Sequence, residues 1–371
     1  MRILLLPYLH TVKPYLDYKY YIYLFQVCFC SEECRDESWV EYHRLECSVL
    51  NHILQSTEIS KMSWLVYRIA TKAIFSQKKD FNSMKPYSSA PNPFLSDDYA
   101  TVWGQVTNTI SRTPADLLKR ATNAIFLASL ILFVAPKETD IVTLSTVLLR
   151  HLQSCSCNAY QITQQILPKG DARRSQEMEL GGAVYPTISL SNHSCNPNVV
   201  RHSVGRNCVV RAIRNIKNGE EILDNYGAHF LSNSLEERQK LLFSQYFFKC
   251  NCEACVKNWP TVNGLNHTYI VYKCIHCSIP IENSIISLRV CPHCSKKLNF
   301  SNISKRLEVL TGKYEKSLEY LINGRLNHCL KTCVEYCNWL DSVAAHPNKQ
   351  FVSSQQAVIL CWSLMGNVKN V

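Results

Sequence analysis

Cys250, Cys252 and Cys255 place three thiols in the spacing CxCxxC, and this cluster constrains the fold more than any other feature of the chain. Three thiolates so close can fill three corners of a tetrahedral zinc site, and the fourth ligand must then come from elsewhere. Cys195, within Asn192-His193-Ser194-Cys195-Asn196-Pro197-Asn198, is the candidate. A metal closed by Cys195 would pin two distant segments together, so anything bound between them occupies a pocket that exists only after folding. The plain alternative is a group of buried, unliganded thiols.

A second pattern follows at Cys274-x2-Cys277-x13-Cys291-x2-Cys294. Two CxxC knuckles at that separation predict a zinc ribbon, and four thiolates leave no open coordination position, so the metal there is structural. Nineteen cysteines would suggest disulfides in a secreted chain, but their pairing as CxC and CxxC points instead to metal thiolates in a reducing compartment. Cys155 and Cys157 lack a second pair nearby in sequence, and Cys329, Cys333 and Cys337 recur on one helical face, so both sets read as packing.

The first residues carry only a short apolar run before Pro7, with Lys13, Asp17 and Lys19 breaking any span, so neither a signal peptide nor a membrane helix is expected there. The longest apolar segment, Ala124 to Ala135, is short for a membrane span and predicts a buried helix. A formal net charge of +11 is spread over helical stretches without a basic run interleaved with aromatics, so direct nucleic-acid binding is not expected.

Helical spacing runs from Ser48 to about Phe75, through Trp64, Leu65, Tyr67, Ile69 and Ile74. Residues 76 to 98 read as a surface loop rich in Ser, Pro, Asn and Lys, followed by helices over roughly 115 to 135 and 140 to 153, the second capped by Thr139 or Asp140. From Val184 to Tyr226 the pattern turns to short strands, such as Asn207 to Ile213. From Ser304 it is helical again, with Leu307, Leu310, Tyr314, Leu318 and Leu321 on one face, a surface that must pack on the core or on a partner.

The order of Asn192-His193-Ser194-Cys195-Asn196-Pro197-Asn198, Gly219-Glu220-Glu221-Ile222-Leu223-Asp224-Asn225-Tyr226-Gly227, and Tyr246-Phe247-Phe248 leading into CxCxxC resembles the SET and MYND domain-containing family of protein lysine methyltransferases. Upstream, Cys30-x3-Cys34-x8-His43-x3-Cys47 looks like the second half of a MYND zinc finger. The resemblance implies an α+β fold: an unmatched leader (1–27), a partial finger (28–49), a helical SET insert (50–150), a β-rich SET core (151–233), a post-SET zinc segment (234–262), a zinc-ribbon-like module (263–300) and a helical tail (301–371). It implies S-adenosyl-L-methionine and zinc as cofactors, with Asn158, Asn192, His193, Tyr226 and Phe248 at the methyl donor, Phe248 stacking on its adenine. Tyr226 is the catalytic residue whose hydroxyl aligns the lysine amine. The implied metal ligands are Cys195, Cys250, Cys252 and Cys255, then Cys274, Cys277, Cys291 and Cys294, and in the finger Cys30, Cys34, His43 and Cys47.

The resemblance also implies a protein substrate presenting lysine, on a histone or another protein, deacetylase or chromatin-associated partners, no membrane, and residence in cytoplasm and nucleus. The first four finger ligands and the Gly-rich first SET segment have no counterpart here. The expectation is therefore an amino-terminally truncated form whose finger holds zinc weakly or not at all, and whose donor pocket lacks one wall. A zinc-stabilised interaction scaffold without turnover, acting in transcriptional regulation, is the alternative. Glu220 and Glu221 read as a solvated corner.

Overall fold

The structure is a computed structural model that describes residues 22–24, 27–29, 31–56, 59–77, 99–135, 140–168, 171–265, 270–281 and 290–370. The leader over 1–21, Cys30, the surface loop at 78–98 and Thr139 lie outside the described residues. The chain forms two compact units, Met1–Ile162 with Glu179–Leu190, and Thr163–Met178 with Ser191–Val371.

The first unit opens on an antiparallel hairpin, β1 (Ile22–Leu24) with β2 (Val27–Phe29), and then α1 (Glu32–Glu41), whose cap Ser31 accepts from the Cys34 amide. The helical stretch expected from Ser48 divides into α2 (Leu50–Gln55) and α3 (Lys61–Gln77), because the polar sequence Gln55-Ser56-Thr57-Glu58 offers no apolar face to continue it. After α4 (Tyr99–Trp103) come α5 (Pro114–Val134) and α6 (Ile141–Asn158). Thr113 caps α5 with Pro114 in its first turn, and Asp140 caps α6 by accepting from Val142 and Thr143. The core gathers Leu65, Ile69, Leu127, Ile131, Leu144 and Leu148, each contributing about 1.5–3 kcal/mol by leaving water.

The buried helix expected at Ala124 to Ala135 is buried on one face only. Ala124, Leu127, Ala128 and Ile131 face the core, but Leu118 (70% exposed) and Phe133 (73% exposed) stand open. By length and composition α5 could cross a membrane, with mean hydropathy 1.7 over its most apolar stretch. Its inward face instead serves the core of this unit.

β3 (Ala159–Leu167) and β4 (Gln176–Val184) carry the chain into the second unit and back. In that unit β5 (Asn192–His193) pairs parallel with β8 (Leu223–Asp224), and β6 (Val199–Val204) forms an antiparallel hairpin with β7 (Asn207–Ala212). Next are α7 (Leu235–Tyr246), α8 (Glu253–Val256) and the short pair β9 (Tyr272–Lys273) and β10 (Pro280–Ile281). Three helices close the unit, α9 (Phe300–Ile322), α10 (Leu326–Val343) and α11 (Lys349–Leu364).

A final strand, β11 (Val368–Asn370), joins β3 in parallel, a pairing with no signal in the sequence. Gly366 permits it: a side chain there would begin 2.4 Å from the Ser203 carbonyl oxygen. The tail packs on its own unit, as expected. Leu310 and Leu321 are buried, and Trp362 stacks on His202 with Arg211 over its ring at 4.6 Å. Cys329, Cys333 and Cys337 line the buried face of α10, as the packing reading requires.

Candidate active site and metal centres

Cys195, Cys250, Cys252 and Cys255 converge, their four sulfurs all within 4.8 Å of one another. Zn–S bonds of 2.3 Å give a tetrahedron with edges of about 3.8 Å. The Cys195 and Cys255 sulfurs are 3.5 Å apart, so the set fits zinc with little adjustment. Crowding divides the acidities. Hydrogen bonds from Cys195 and Cys250 drive the Cys252 thiol well below its ordinary range, while contacts with Cys250 and Cys252 push Cys195 far above it.

Folding brings these ligands together through α7. Ser234 and Glu237 form a reciprocal capping box at its start, and Phe247 ends it in a left-handed conformation with φ of 64°. That turn aims the chain at Cys250. Gln239 then brackets Cys250, donating to its carbonyl at 2.7 Å and accepting from its amide at 3.0 Å.

His193 joins this centre to Tyr226. The Tyr226 amide donates to His193 Nδ1 at 3.0 Å, which leaves the proton on Nε2, 3.3 Å from the Cys195 sulfur. Burial lowers the His193 pKa to about 4, so the ring stays neutral and keeps this tautomer near neutral pH. Tyr226 packs with its ring centroid 5.2 Å from His193 and 4.9 Å from Tyr246, and Phe248 lies 6.0 Å from His193. The Tyr226 hydroxyl donates to the Ser191 carbonyl at 2.6 Å, and Tyr246 donates to the Tyr226 carbonyl at 3.3 Å.

The Glu220-Glu221 corner is not merely solvated. Glu220 pairs with Arg214 at 2.7 Å, and Glu221 accepts the Asn192 amide at 2.5 Å. Asn198 bonds both ends of this turn, donating to the Glu221 carbonyl and accepting from the Leu223 amide. Arg201 reaches Asp224 at 2.7 Å, and Asn225 donates to the Ser194 carbonyl at 2.9 Å. The two motifs are therefore laced together by side chains that spacing alone did not single out. Tyr246 was visible only as the first residue of Tyr246-Phe247-Phe248, and Gln239 carried no signal.

Asn158 lies in the first unit, buried at the end of α6, where its amide donates to the Ser154 carbonyl at 2.9 Å. Asn192, His193, Tyr226 and Phe248 belong to the second.

Cys274, Cys277, Cys291 and Cys294 form the other ligand set, with Cys274 to Cys294 at 3.6 Å and Cys277 to Cys291 at 3.7 Å. Its two knuckles repeat each other in detail. The Ser278 amide donates to the Cys274 carbonyl and the Ser295 amide to the Cys291 carbonyl, at 2.8 and 2.9 Å, and both serines have positive φ. The Cys274 and Cys291 amides donate in turn to the Ile279 and Lys296 carbonyls.

The half finger differs. Cys34 is exposed on α1 and Cys47 is partly buried, and these do not gather with His43 into a third ligand set among the described residues. His43 is fully buried. Its Nδ1 faces Glu46 at 3.3 Å and its Nε2 has no partner among the described residues. Glu46 is itself buried and takes two bonds from Arg68, at 2.7 and 2.6 Å, and one from Trp64 at 2.8 Å. Glu46 thus lies behind His43 as a carboxylate often lies behind a metal-ligating histidine.

The SET domain family model matches residues 26–227. The chain is 24% identical to the Danio rerio protein named Protein-lysine N-methyltransferase SMYD4, over 81% of this chain and 49% of that protein. It is 26% identical to the Homo sapiens protein of the same name, over 82% of this chain and 45% of the relative. It is also 27% identical to the Homo sapiens N-lysine methyltransferase SMYD2, over 62% and 46%. The chain thus spans about half the length of these curated relatives.

Proposed function

Because this chain belongs to the SET domain family, we propose that it transfers methyl groups from S-adenosyl-L-methionine to lysine side chains of a protein substrate. The observation that carries this reading is the run from the Cys195 sulfur through His193 to Tyr226, a hydrogen-bonded connection between the four-cysteine cluster and a half-buried tyrosine. The named relatives support the reaction class.

The donor supplies a methyl group made electrophilic by its sulfonium sulfur. What the protein must add is a neutral amine, since free lysine has a pKa of about 10.4, and a fixed line of approach. Tyr226, Tyr246 and Phe248 offer ring surfaces that exclude water, which favours the uncharged amine. The Tyr226 hydroxyl and the Ser191 carbonyl, 2.6 Å apart, offer oxygens that orient it. Asn192, His193 and Phe248 are the residues of this unit that would hold the donor. His193 suits that role because its ring is locked on both nitrogens.

The test is incorporation of labelled methyl groups into lysines of a protein mixture that includes histones. Turnover by the wild-type chain, reduced about 100-fold or more in Tyr226→Phe with donor binding kept, is the expected result. Labelling that Tyr226→Phe leaves unchanged would contradict the assignment. A scaffold role draws on a separate observation, the exposed Ile275, Ile279 and Val290 around the ribbon. It would be favoured by wild-type protein that binds donor without labelling any lysine.

A further inference from the structure

Arg238, on α7, is fully buried, yet it forms no ion pair with a carboxylate among the described residues. Its Nη1 donates to the Asn233 carbonyl at 2.7 Å and its Nη2 to the Ala254 carbonyl at 3.1 Å, and its Nε has no partner among the described residues. A guanidinium remains charged at any pH a folded protein survives, and a buried charge without a countercharge is strongly disfavoured. Carbonyl dipoles answer only part of that cost.

Zinc held by four thiolates carries a net charge of −2, and Ala254, whose carbonyl Arg238 grips, precedes the ligand Cys255 in the chain. The next residue, Gln239, grips Cys250 in the same manner. We propose that Arg238 is the buried counterion of the Cys195, Cys250, Cys252 and Cys255 zinc centre, a positioning residue whose charge ties metal retention to the fold of the second unit. The described knuckles of the ribbon are instead held by backbone bonds within themselves. The proposal rests on the fit of this ligand set to zinc and not on methyl transfer.

The test is the rate at which zinc passes to the chromogenic chelator 4-(2-pyridylazo)resorcinol from the full chain. Wild type is compared with Arg238→Met, which keeps bulk but loses charge, and Arg238→Lys, which keeps charge. Zinc from the ribbon is the internal reference, and a Cys277→Ser chain, which retains only the first centre, identifies the phase. Arg238→Met should release the first-centre zinc about 10- to 100-fold faster, with the ribbon phase unchanged and Arg238→Lys close to wild type. A second readout separates charge from packing. Removal of zinc should destabilise wild type more than Arg238→Met, because only the wild type then leaves a charge unanswered. Equal release in wild type and Arg238→Met overturns the proposal, as does Arg238→Lys behaving like Arg238→Met. If Arg238→Met yields no folded chain while Arg238→Lys folds with both zincs, the charge requirement stands. Failure of both variants to fold overturns it in favour of hydrogen-bond geometry.

Discussion

The two cysteine centres use the same ligands and reach them by opposite routes. The ribbon is local: two knuckles with matching backbone bonds close on each other around Cys274, Cys277, Cys291 and Cys294, with His276 and His293 exposed between the thiols. The first centre is assembled, taking Cys195 from the loop after β5, Cys250 and Cys252 from the turn after α7, and Cys255 from α8. It therefore needs outside support, and it has Gln239 on Cys250, Arg238 on Ala254, and His193 between Cys195 and Tyr226. A local centre can stabilise only itself, whereas an assembled one transmits its order to whatever its segments carry.

The largest effect should come from breaking the assembled centre. Cys195→Ser is expected to lower the zinc content from two to one per chain and to abolish the near-ultraviolet circular dichroism of the second unit, since metal-coupled folding is worth about 10 kcal/mol or more. Retention of both zincs and of native dichroism would erase the contrast. Cys277→Ser should remove one zinc as well, but with local damage. Hydrogen exchange should rise across residues 270–281 and 290–297, with amides of α7 and α10 staying protected.

Acid should separate the centres further. The folded pKa of His193 and of His229 lies near 4, below the ordinary 6.5, so the unfolded chain takes up protons that the folded chain refuses. Stability from these groups is present above about pH 6.5 and is lost as pH falls towards 4. Between pH 7 and 5 the second unit should lose on the order of 2 kcal/mol for each histidine, read from denaturant midpoints, and the loss should shrink in His229→Phe. A flat midpoint over that range would show that burial does not hold these rings neutral. The smallest effect is expected of Gln239→Ala, about 1–3 kcal/mol from two lost bonds to Cys250, with faster zinc release from the first centre only.

Sulfur spacing made both centres legible in the sequence, because ligand geometry limits how thiols can be placed. The motif residues His193, Tyr226 and Phe248 were legible by resemblance, and they do meet. What was not legible is whatever depends on partners far along the chain. Arg238 sits among Glu236, Glu237 and Lys240 and reads as one more solvated helix charge. Glu46 likewise shows nothing of Arg68 and Trp64 around it. The pairing of β11 with β3 spans about 200 residues and has no local signature. The open face of α5 escaped because a run of apolar residues says how greasy a helix is, not which sides are covered.

The central claim is that the assembled centre holds the donor site through His193. Calorimetric titration of S-adenosyl-L-methionine into wild type, Cys195→Ser and Cys277→Ser tests it most directly. Saturable binding is expected in wild type and Cys277→Ser and none in Cys195→Ser. Equal binding in Cys195→Ser, or loss in Cys277→Ser alone, would contradict it.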